Sequence, residues 1–424
     1  MEERGVSELY PMLSVEEAAE LLLSHFHVLE PEIVPVLESL GRVLAEDVCS
    51  DMDIPPHANT AMDGYALLAA DTDGASVESP RRLRIIADLA AGYVSETVVT
   101  RGTAIRIMTG APIPPGADAV IQFEETDRDG DWVNVHKPVA VWANIRSAGE
   151  DVRKGARVLR KGSRIRPQEL GMLATLGRKN VPVIRRPRVA ILATGDEVVE
   201  IDAPLLPGKI RNSNSYSNAA QVMAAGGVPV MLGIAHDQIE ELTAKIRSGL
   251  AQGVDLFITS GGVSVGDFDV VKQVLAAEGE MTFWRVRMKP GKPLAFGRIG
   301  DVPLLGLPGN PVSAMVSFEM FARPAILKMQ GLLEWSRPMV EATLVDGIKR
   351  KDDRRHYVRV RVEEQGGRYQ AHLTGEQGSG ILSSMVEANG LAIIPEDWST
   401  APAGSRVQVA MLDWDSGCRT ATKG

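Results

Sequence analysis

Between residues 189 and 329 the hydrophobic pattern switches repeatedly between two periods, and this alternation limits the possible folds more than any other feature of the chain. Val189–Ala193, Val228–Ile234, Leu256–Thr259 and Leu304–Leu307 are short, continuous apolar runs, as expected of strands covered on both faces. Tyr216–Ala225, Ile239–Leu250, Val270–Ala277 and Pro311–Met329 instead carry apolar residues at helical spacing. Phe283–Val286 and Leu294–Gly297 fit a pair of neighbouring strands. Strand alternating with helix at this interval predicts a parallel, doubly wound α/β sheet with helices on both faces.

The flanking sequence has a different texture. At 424 residues the chain exceeds one ordinary core and is expected to form several domains. Ser14-Val15-Glu16-Glu17 is a capping box that opens a helix running to about His27. Ile33–Ala45 reads as a second short segment with a bend at Gly41. From Arg81 to Val141, short strands (Leu83–Leu89, Thr103–Met108, Ala119–Phe123, Trp132–His136) are separated by turn residues, which predicts a small β unit. Pro167 starts a helix that Gly177 stops. After Gly331 the alternation His356–Val362, with Leu391–Ile394 and Arg406–Met411, predicts a C-terminal β domain. The expected boundaries fall near residues 50, 145, 186 and 332. There is no internal repeat or low-complexity tract.

In a doubly wound sheet, ligands bind beyond the carboxyl ends of the strands. Those ends read Thr194-Gly195-Asp196-Glu197, Ala235-His236-Asp237, Ser260-Gly261-Gly262-Val263-Ser264-Val265-Gly266-Asp267-Phe268-Asp269 and Gly306-Leu307-Pro308-Gly309-Asn310-Pro311. The glycines and serines of the third can turn backbone N–H groups toward phosphate, while Asp267 and Asp269 repel it. The two features share a loop if a hard divalent cation, Mg²⁺, lies between them. At the fourth end Asn310 is the expected N-cap and Pro311 the first helical residue. Taken singly, each piece has a plain alternative: Asp196, Glu197 and Asp237 as turn formers or caps, Gly261-Gly262 as a tight turn. Met288-Lys289-Pro290-Gly291-Lys292-Pro293 adds two cations on a loop stiffened by proline, or two solvated lysines in a turn. The run Lys349–Arg355 reads as a solvated connection without a role. The histidines form no ligand or general-base pattern.

A formal net charge of -9 disfavours non-specific binding to nucleic acid or an acidic membrane. Cys49 and Cys418, the only cysteines, lack partners at metal-ligand spacing, so a reducing cytoplasm is expected rather than a disulfide framework. Neither a signal-peptide pattern nor a bilayer-length apolar run occurs.

Seven segments in this order are similar to the molybdopterin molybdenumtransferase family, MoeA and the E domain of gephyrin: Thr60–Ala66 (TAMDGYA), Arg106–Ile121, Asn144–Asp151, Ala193–Glu197, Ser260–Asp269, Met288–Gly297 and Gly306–Ala314. The resemblance implies an α/β plus β, multi-domain fold with four parts. These are an extended helical linker and dimerisation domain (1–50 and 145–185), an inserted β domain (51–144), a doubly wound MogA-like α/β domain that binds molybdopterin (186–332), and a C-terminal β-barrel-like domain (333–416). It implies insertion of molybdate into adenylylated molybdopterin with Mg²⁺ and release of AMP, in a homodimer, with a molybdopterin adenylyltransferase as a further partner. It also implies roles. Asp237 and Asp269, with Glu197 and Asp267, hold Mg²⁺, and Lys289 and Lys292 offset phosphate or molybdate charge. Gly261, Gly262, Ser264 and Gly266 cradle phosphate, and Pro308, Gly309, Asn310 and Pro311 shape the pocket floor. Asp63, Thr109 and Arg146 complete the site from the partner subunit. The alternatives are a catalytically inactive scaffold of the same fold and a tungstate-inserting variant. An adenylyltransferase is a compact single domain and would leave half of the chain unexplained.

Overall fold

The computed structural model describes residues 12–236, 238–261, 279–349 and 352–413. The chain divides into two compact units: Glu46–Lys161 with Pro167–Lys179, and Met1–Ala45, Gly162–Arg166 and Asn180–Gly424. Helix α1 (Val15–Leu23) begins as its capping box demands. Ser14 Oγ accepts from Glu17 N–H at 3.1 Å, and Glu17 Oε2 accepts from Ser14 N–H at 2.8 Å. It ends at Leu23, short of His27, and buries Val15, Ala18 and Leu22. Ile33–Ala45 is not one segment. Pro31–Pro35 is a strand paired with Asn180–Ile184, followed by a single 3₁₀ turn at Val36–Ser39.

In the Glu46–Lys161 unit, β1 (Asn59–Thr60), β2 (Gly64–Leu67), β4 (Thr103–Ile107), β5 (Ala119–Gln122), β6 (Thr126–Asp129), β7 (Trp132–Val135) and β8 (Ile145–Arg146) are short, and β3 (Arg81–Leu89) is longer. Six form one sheet in the order β5-β2-β4-β3-β7-β6, and β8 pairs with β1. Alternation along β2 sends Tyr65 and Leu67 to one apolar cluster and Ala66 to another, so the sheet is covered on both faces. Helix α2 (Pro167–Thr175) starts on its proline and stops before Gly177, whose φ of 68° suits glycine.

The other unit contains the predicted alternation: β9 (Arg188–Thr194), α3 (Ser213–Ala224), β10 (Val228–Ala235), α4 (Ile239–Ala251), β11 (Leu256–Ser260), β12 (Gly279–Val286), β13 (Met288–Lys289), β14 (Pro293–Ile299), β15 (Val302–Leu307), α5 (Pro311–Ser317) and α6 (Arg323–Met329). The sheet runs β12-β14-β15-β11-β9-β10, with Met12–Leu13 added beside β12. β10, β9, β11 and β15 are parallel. β14 is antiparallel to both neighbours, so the sheet is mixed rather than wholly parallel. The cause is local: the short links on either side of β14 are too short for a helical crossover, and an antiparallel return is the geometry they permit. Val189 and Ile191 pack toward α1, α3 and α5, whereas Ala190 and Leu192 pack toward α4. Burial on both faces explains the unbroken apolar runs. The expected helix at Val270–Ala277 lies outside the described residues.

The expected single helix Pro311–Met329 is α5, a π-type segment Phe318–Ala322 and α6 in continuous succession. Pro324 lies in the first turn of α6 and has no N–H to give the preceding turn, which is where the wider winding occurs. Beyond it, β16 (Met339–Leu344), β17 (Arg355–Gln365), β18 (Arg368–Leu373), β19 (Gly390–Ile394) and β20 (Arg406–Met411) pair in a ring, β17-β18-β16-β20-β19 and back to β17. This closed five-stranded barrel is filled by alternate residues such as Val358, Val360, Val362, Ala392, Ile394, Val407 and Val409. β13 is added to it from outside, parallel to β17, with Lys289 opposite His356.

Candidate active site

The chain from β9 crosses to β10 on one side and then back past β9 to β11, with α3 and α4 on opposite faces. The crevice beyond β9 and β11 is therefore the topological switch point, where doubly wound sheets bind ligands. Gly261 follows β11 with φ +91°, and a Cβ there would lie 2.8 Å from the Thr194 carbonyl oxygen and 3.0 Å from Thr194 Oγ1. Only glycine fits that approach. Gly261 N–H donates to Leu307 O at 3.2 Å, and Asn214 Nδ2 at the start of α3 donates to Gly309 O at 2.7 Å. Three strand ends and one helix start thus meet on one rim. Thr194 Oγ1, Asn214 Oδ1, Ser215 Oγ and both amide atoms of Asn218 are buried there or on the same helix without a partner among the described residues. Buried polar atoms of this kind are usually satisfied, so this wall has bonding capacity to spare.

The Met288–Pro293 loop belongs to the same rim. β14 pairs Ala295 with Gly306, so its first residues lie beside the last residues of β15. Gly291, at φ +105°, sits so close to α5 that a Cβ would lie 2.6 Å from Ser317 Oγ. Lys292 is exposed and has no carboxylate partner among the described residues, whereas Lys289 Nζ lies 3.7 Å from Asp352 Oδ2. The expectation that Lys349–Arg355 is merely a solvated connection fails here. Asp352 also binds Arg354 Nη2 (2.6 Å) and His356 Nε2 (2.8 Å), and Arg355 pairs with Glu16 and with Glu396 (3.1 Å). Burial raises the Asp352 pKa, but the bonds from Arg354 and His356 outweigh it and hold the carboxyl well below the usual range.

At the end of β15 Asn310 is the N-cap residue of α5, but its side chain makes no capping bond. Pro311 has no N–H, and Val312 N–H donates to Ser379 O at 3.0 Å. The corner is therefore braced by the Gly378–Gly380 segment and offers fewer free donors than expected. That segment is held in turn by Arg359, 1% exposed, whose guanidinium donates to the carbonyls of Glu376, Gln377 and Gly378 and to Ser384 Oγ. Burial pushes the pKa of Arg359 down to about 10.

Glu197 is exposed beyond β9, its carboxylate folded so near Gly195 that a Cβ there would lie 2.5 Å from Oε2. Asp237, Gly262, Ser264, Gly266, Asp267 and Asp269 lie outside the described residues. Among those described, no three His, Cys, Asp or Glu side chains gather as a ready metal site. In the other unit, Asp63 Oδ1 accepts from both the N–H and the Oγ1 of Thr109, each at 2.7 Å. These two bonds, the backbone one foremost, lower the pKa of Asp63. Arg146, exposed on β8, belongs to the same loop cluster. β8 pairs with β1, whose Thr60 O accepts from Gly110 N–H at 2.9 Å.

Comparison with known proteins covers the whole described architecture. Residues 13–177 match the MoeA N-terminal region (domain I and II), 190–328 a probable molybdopterin binding domain, and 341–412 the MoeA C-terminal region (domain IV). The chain belongs to the MoeA family. Molybdopterin molybdenumtransferase 2 of Mycobacterium tuberculosis is 38% identical over 410 residues, covering 95% of this chain and 100% of that one. Molybdopterin molybdenumtransferase of Bacillus subtilis is 37% identical over 394 residues, covering 92% and 91%. A crystal structure of the MoeA protein of Pyrococcus horikoshii superposes with a TM-score of 0.82 at 32% identity, covering 95% of this chain and 100% of that one.

In this MoeA-family chain the structure adds two residues that sequence reasoning passed over. Asn214 joins α3 to the Gly309 corner, and the signal for it was the unusually polar run Asn212–Asn218 on a helix that has to pack against a sheet. Asp352 was hidden inside a mixed-charge run, where nothing in the spacing separates a network member from a solvated neighbour.

Proposed function

We propose that this protein is a molybdopterin molybdenumtransferase that inserts molybdate into adenylylated molybdopterin and releases AMP, a step of molybdenum cofactor biosynthesis. The reading rests on one observation above all. In a chain of this family, the ends of β9, β11 and β15 and the Lys289–Lys292 loop converge on a rim rich in unpartnered polar atoms. Molybdate is a dianion, and Lys289 and Lys292 supply charge toward it. Gly261, with Gly262, Ser264 and Gly266, is assigned to the substrate's phosphates in this reading, because glycine-rich segments can offer successive backbone N–H groups to an anion. Pro308, Gly309, Asn310 and Pro311 form the floor. The two dithiolene thiols of the substrate displace one oxo group of molybdate, which leaves with their protons as water, and water cleaves the phosphoanhydride to release AMP, so no protein nucleophile is needed.

The donor chemistry suits Mg²⁺. Such an ion commonly takes one or two carboxylates and completes its shell with water and substrate phosphate, so a preformed protein cage is not required. Glu197 is a hard carboxylate at the right strand end, and Asp237 and Asp269, with Asp267, are the further ligands in this reading. Bound there, the ion offsets charge on the phosphoanhydride oxygens. The protein is a homodimer in which the Asp63, Thr109 and Arg146 loops of one subunit complete the rim of the other. It acts in the cytoplasm, where a molybdopterin adenylyltransferase supplies its substrate. Among the described residues no helix is long and apolar enough to cross a membrane.

The deciding experiment measures AMP released from adenylylated molybdopterin with molybdate, with tungstate and with no oxyanion. Stoichiometric AMP dependent on molybdate supports the proposal. Dependence on tungstate alone assigns the other oxyanion, and absence of oxyanion-dependent release overturns catalysis in favour of a binding scaffold. In the Asp269→Asn variant, unchanged turnover would remove that carboxylate from the site.

A further inference from the structure

Two of the loop's attachments come from the C-terminal barrel rather than from the α/β sheet. Residues 287–292 leave β12 and return to the sheet as β14, closed at the base where Val286 N–H donates to Lys292 O at 2.8 Å. Midway, Met288 and Lys289 pair as β13 with Arg355 and His356 of β17, and Arg355 N–H donates to Arg287 O at 3.0 Å. The loop is therefore slung between two bodies of one compact unit, and its lysine-bearing arm rests on the barrel.

Asp352, just before β17, is the charged element of that support. Its Oδ1 lies 2.8 Å from His356 Nε2 and accepts from Arg354 N–H at 3.2 Å, and its Oδ2 lies 2.6 Å from Arg354 Nη2. The carboxylate is thus held by its own segment, and Oδ2 also lies 3.7 Å from Lys289 Nζ. Lys289 is half exposed and its stem has many rotamers, so an unsupported ammonium would wander. Among the described residues this carboxylate faces two permanent cations, Lys289 and Arg354. The ion pair restricts the ammonium while leaving Lys289 half exposed.

We propose that Asp352 is the positioning residue that holds the Lys289 ammonium toward the rim. The inference rests on the reading of Lys289 as an oxyanion-binding group.

The test is a double-mutant cycle on the full-length protein, with KM for molybdate, kcat for AMP release and melting temperature measured for each variant. Asp352→Asn keeps the shape and the acceptor while removing the charge. It should raise KM for molybdate about fivefold with kcat changed less than about twofold, the scale of one partly exposed ion pair. In a Lys289→Met background the same substitution should add nothing, because its only route to the substrate is gone. Equal losses from Asp352→Asn in both backgrounds, or a loss that tracks a lowered melting temperature, would show a structural role and overturn the proposal. A silent Asp352→Asn alongside an impaired Lys289→Met overturns the positioning role while leaving Lys289 in the site. An unimpaired Lys289→Met removes Lys289 from the oxyanion site and the proposal with it.

Discussion

Single residues in this protein are constrained most tightly where two strand ends touch. Gly261 cannot carry a side chain, because its φ is +91° and a Cβ would press on the Thr194 carbonyl at 2.8 Å. Gly261→Ala should therefore lose roughly 2 kcal/mol of stability, from backbone strain and displacement of Thr194. A urea unfolding midpoint unchanged from the parent would contradict this. Asp63 is a constraint of another kind, since its carboxylate accepts from the N–H and Oγ1 of Thr109 and so fixes that residue. Its pKa is depressed in the folded chain, so the clamp is fully present above the unfolded carboxylate value and is lost as pH falls through the folded one. Asp63→Ala should speed amide exchange of the 105–112 segment by about tenfold at neutral pH. In the parent protein, exchange corrected for its intrinsic rate should rise only in acid, below the ordinary carboxylate range. Indifference of that segment to the substitution would mean that Thr109 is held by something else.

Elements show which parts of the fold were readable beforehand and which were not. The strands of the α/β unit were legible because burial on both faces leaves an unbroken apolar run, as at Val189–Ala193. The capping box at Ser14 and the proline start at Pro167 were legible because each answers a local demand of helix ends. Partner choice is not local, which is why the docking of β13 on the barrel left no mark in periodicity. The π-type turn at Phe318–Ala322 escaped for a related reason: Pro324 reads as a tolerable first-turn residue of a new helix and equally as a kink in an old one. Of the candidate site, the place of Gly261 at the end of a strand was legible, whereas the pairing of Lys289 with Asp352 depends on a barrel that closes only in three dimensions. The π segment also carries Glu319, 7% exposed, which binds Arg337 Nε at 3.0 Å and Gln221 Nε2 at 3.1 Å and lies 3.8 Å from Arg323. Glu319→Ala would leave two guanidinium groups partly buried without their counter-charge, and should cost about 3 kcal/mol. Thermal melting checks this, and a shift within error would show that water or rearrangement replaces the carboxylate.

At the scale of the whole molecule, the proposed site draws on groups from two compact units that have separate cores. The α/β rim holds Gly261 and the lysines, and the Glu46–Lys161 unit holds Asp63, Thr109 and Arg146. In a homodimer whose subunits exchange these contributions, each site needs the rim of one chain and the loops of the other, and that arrangement is testable by complementation. One parent carries Lys289→Met with Lys292→Met, the other Thr109→Val with Arg146→Met, and each alone should be inactive. After mixing and exchange of subunits, about half of the dimers are heterodimers, and each of these pairs one doubly damaged site with one intact site. Activity should then recover to about a quarter of the wild-type value per subunit, because half of the dimers contribute one of their two sites. If each site were built within one chain, both sites of the heterodimer would be damaged and no activity would return. Recovery near zero, with heterodimers demonstrated by mass, would thus confine the site to single chains. Recovery near a quarter requires that two copies act together.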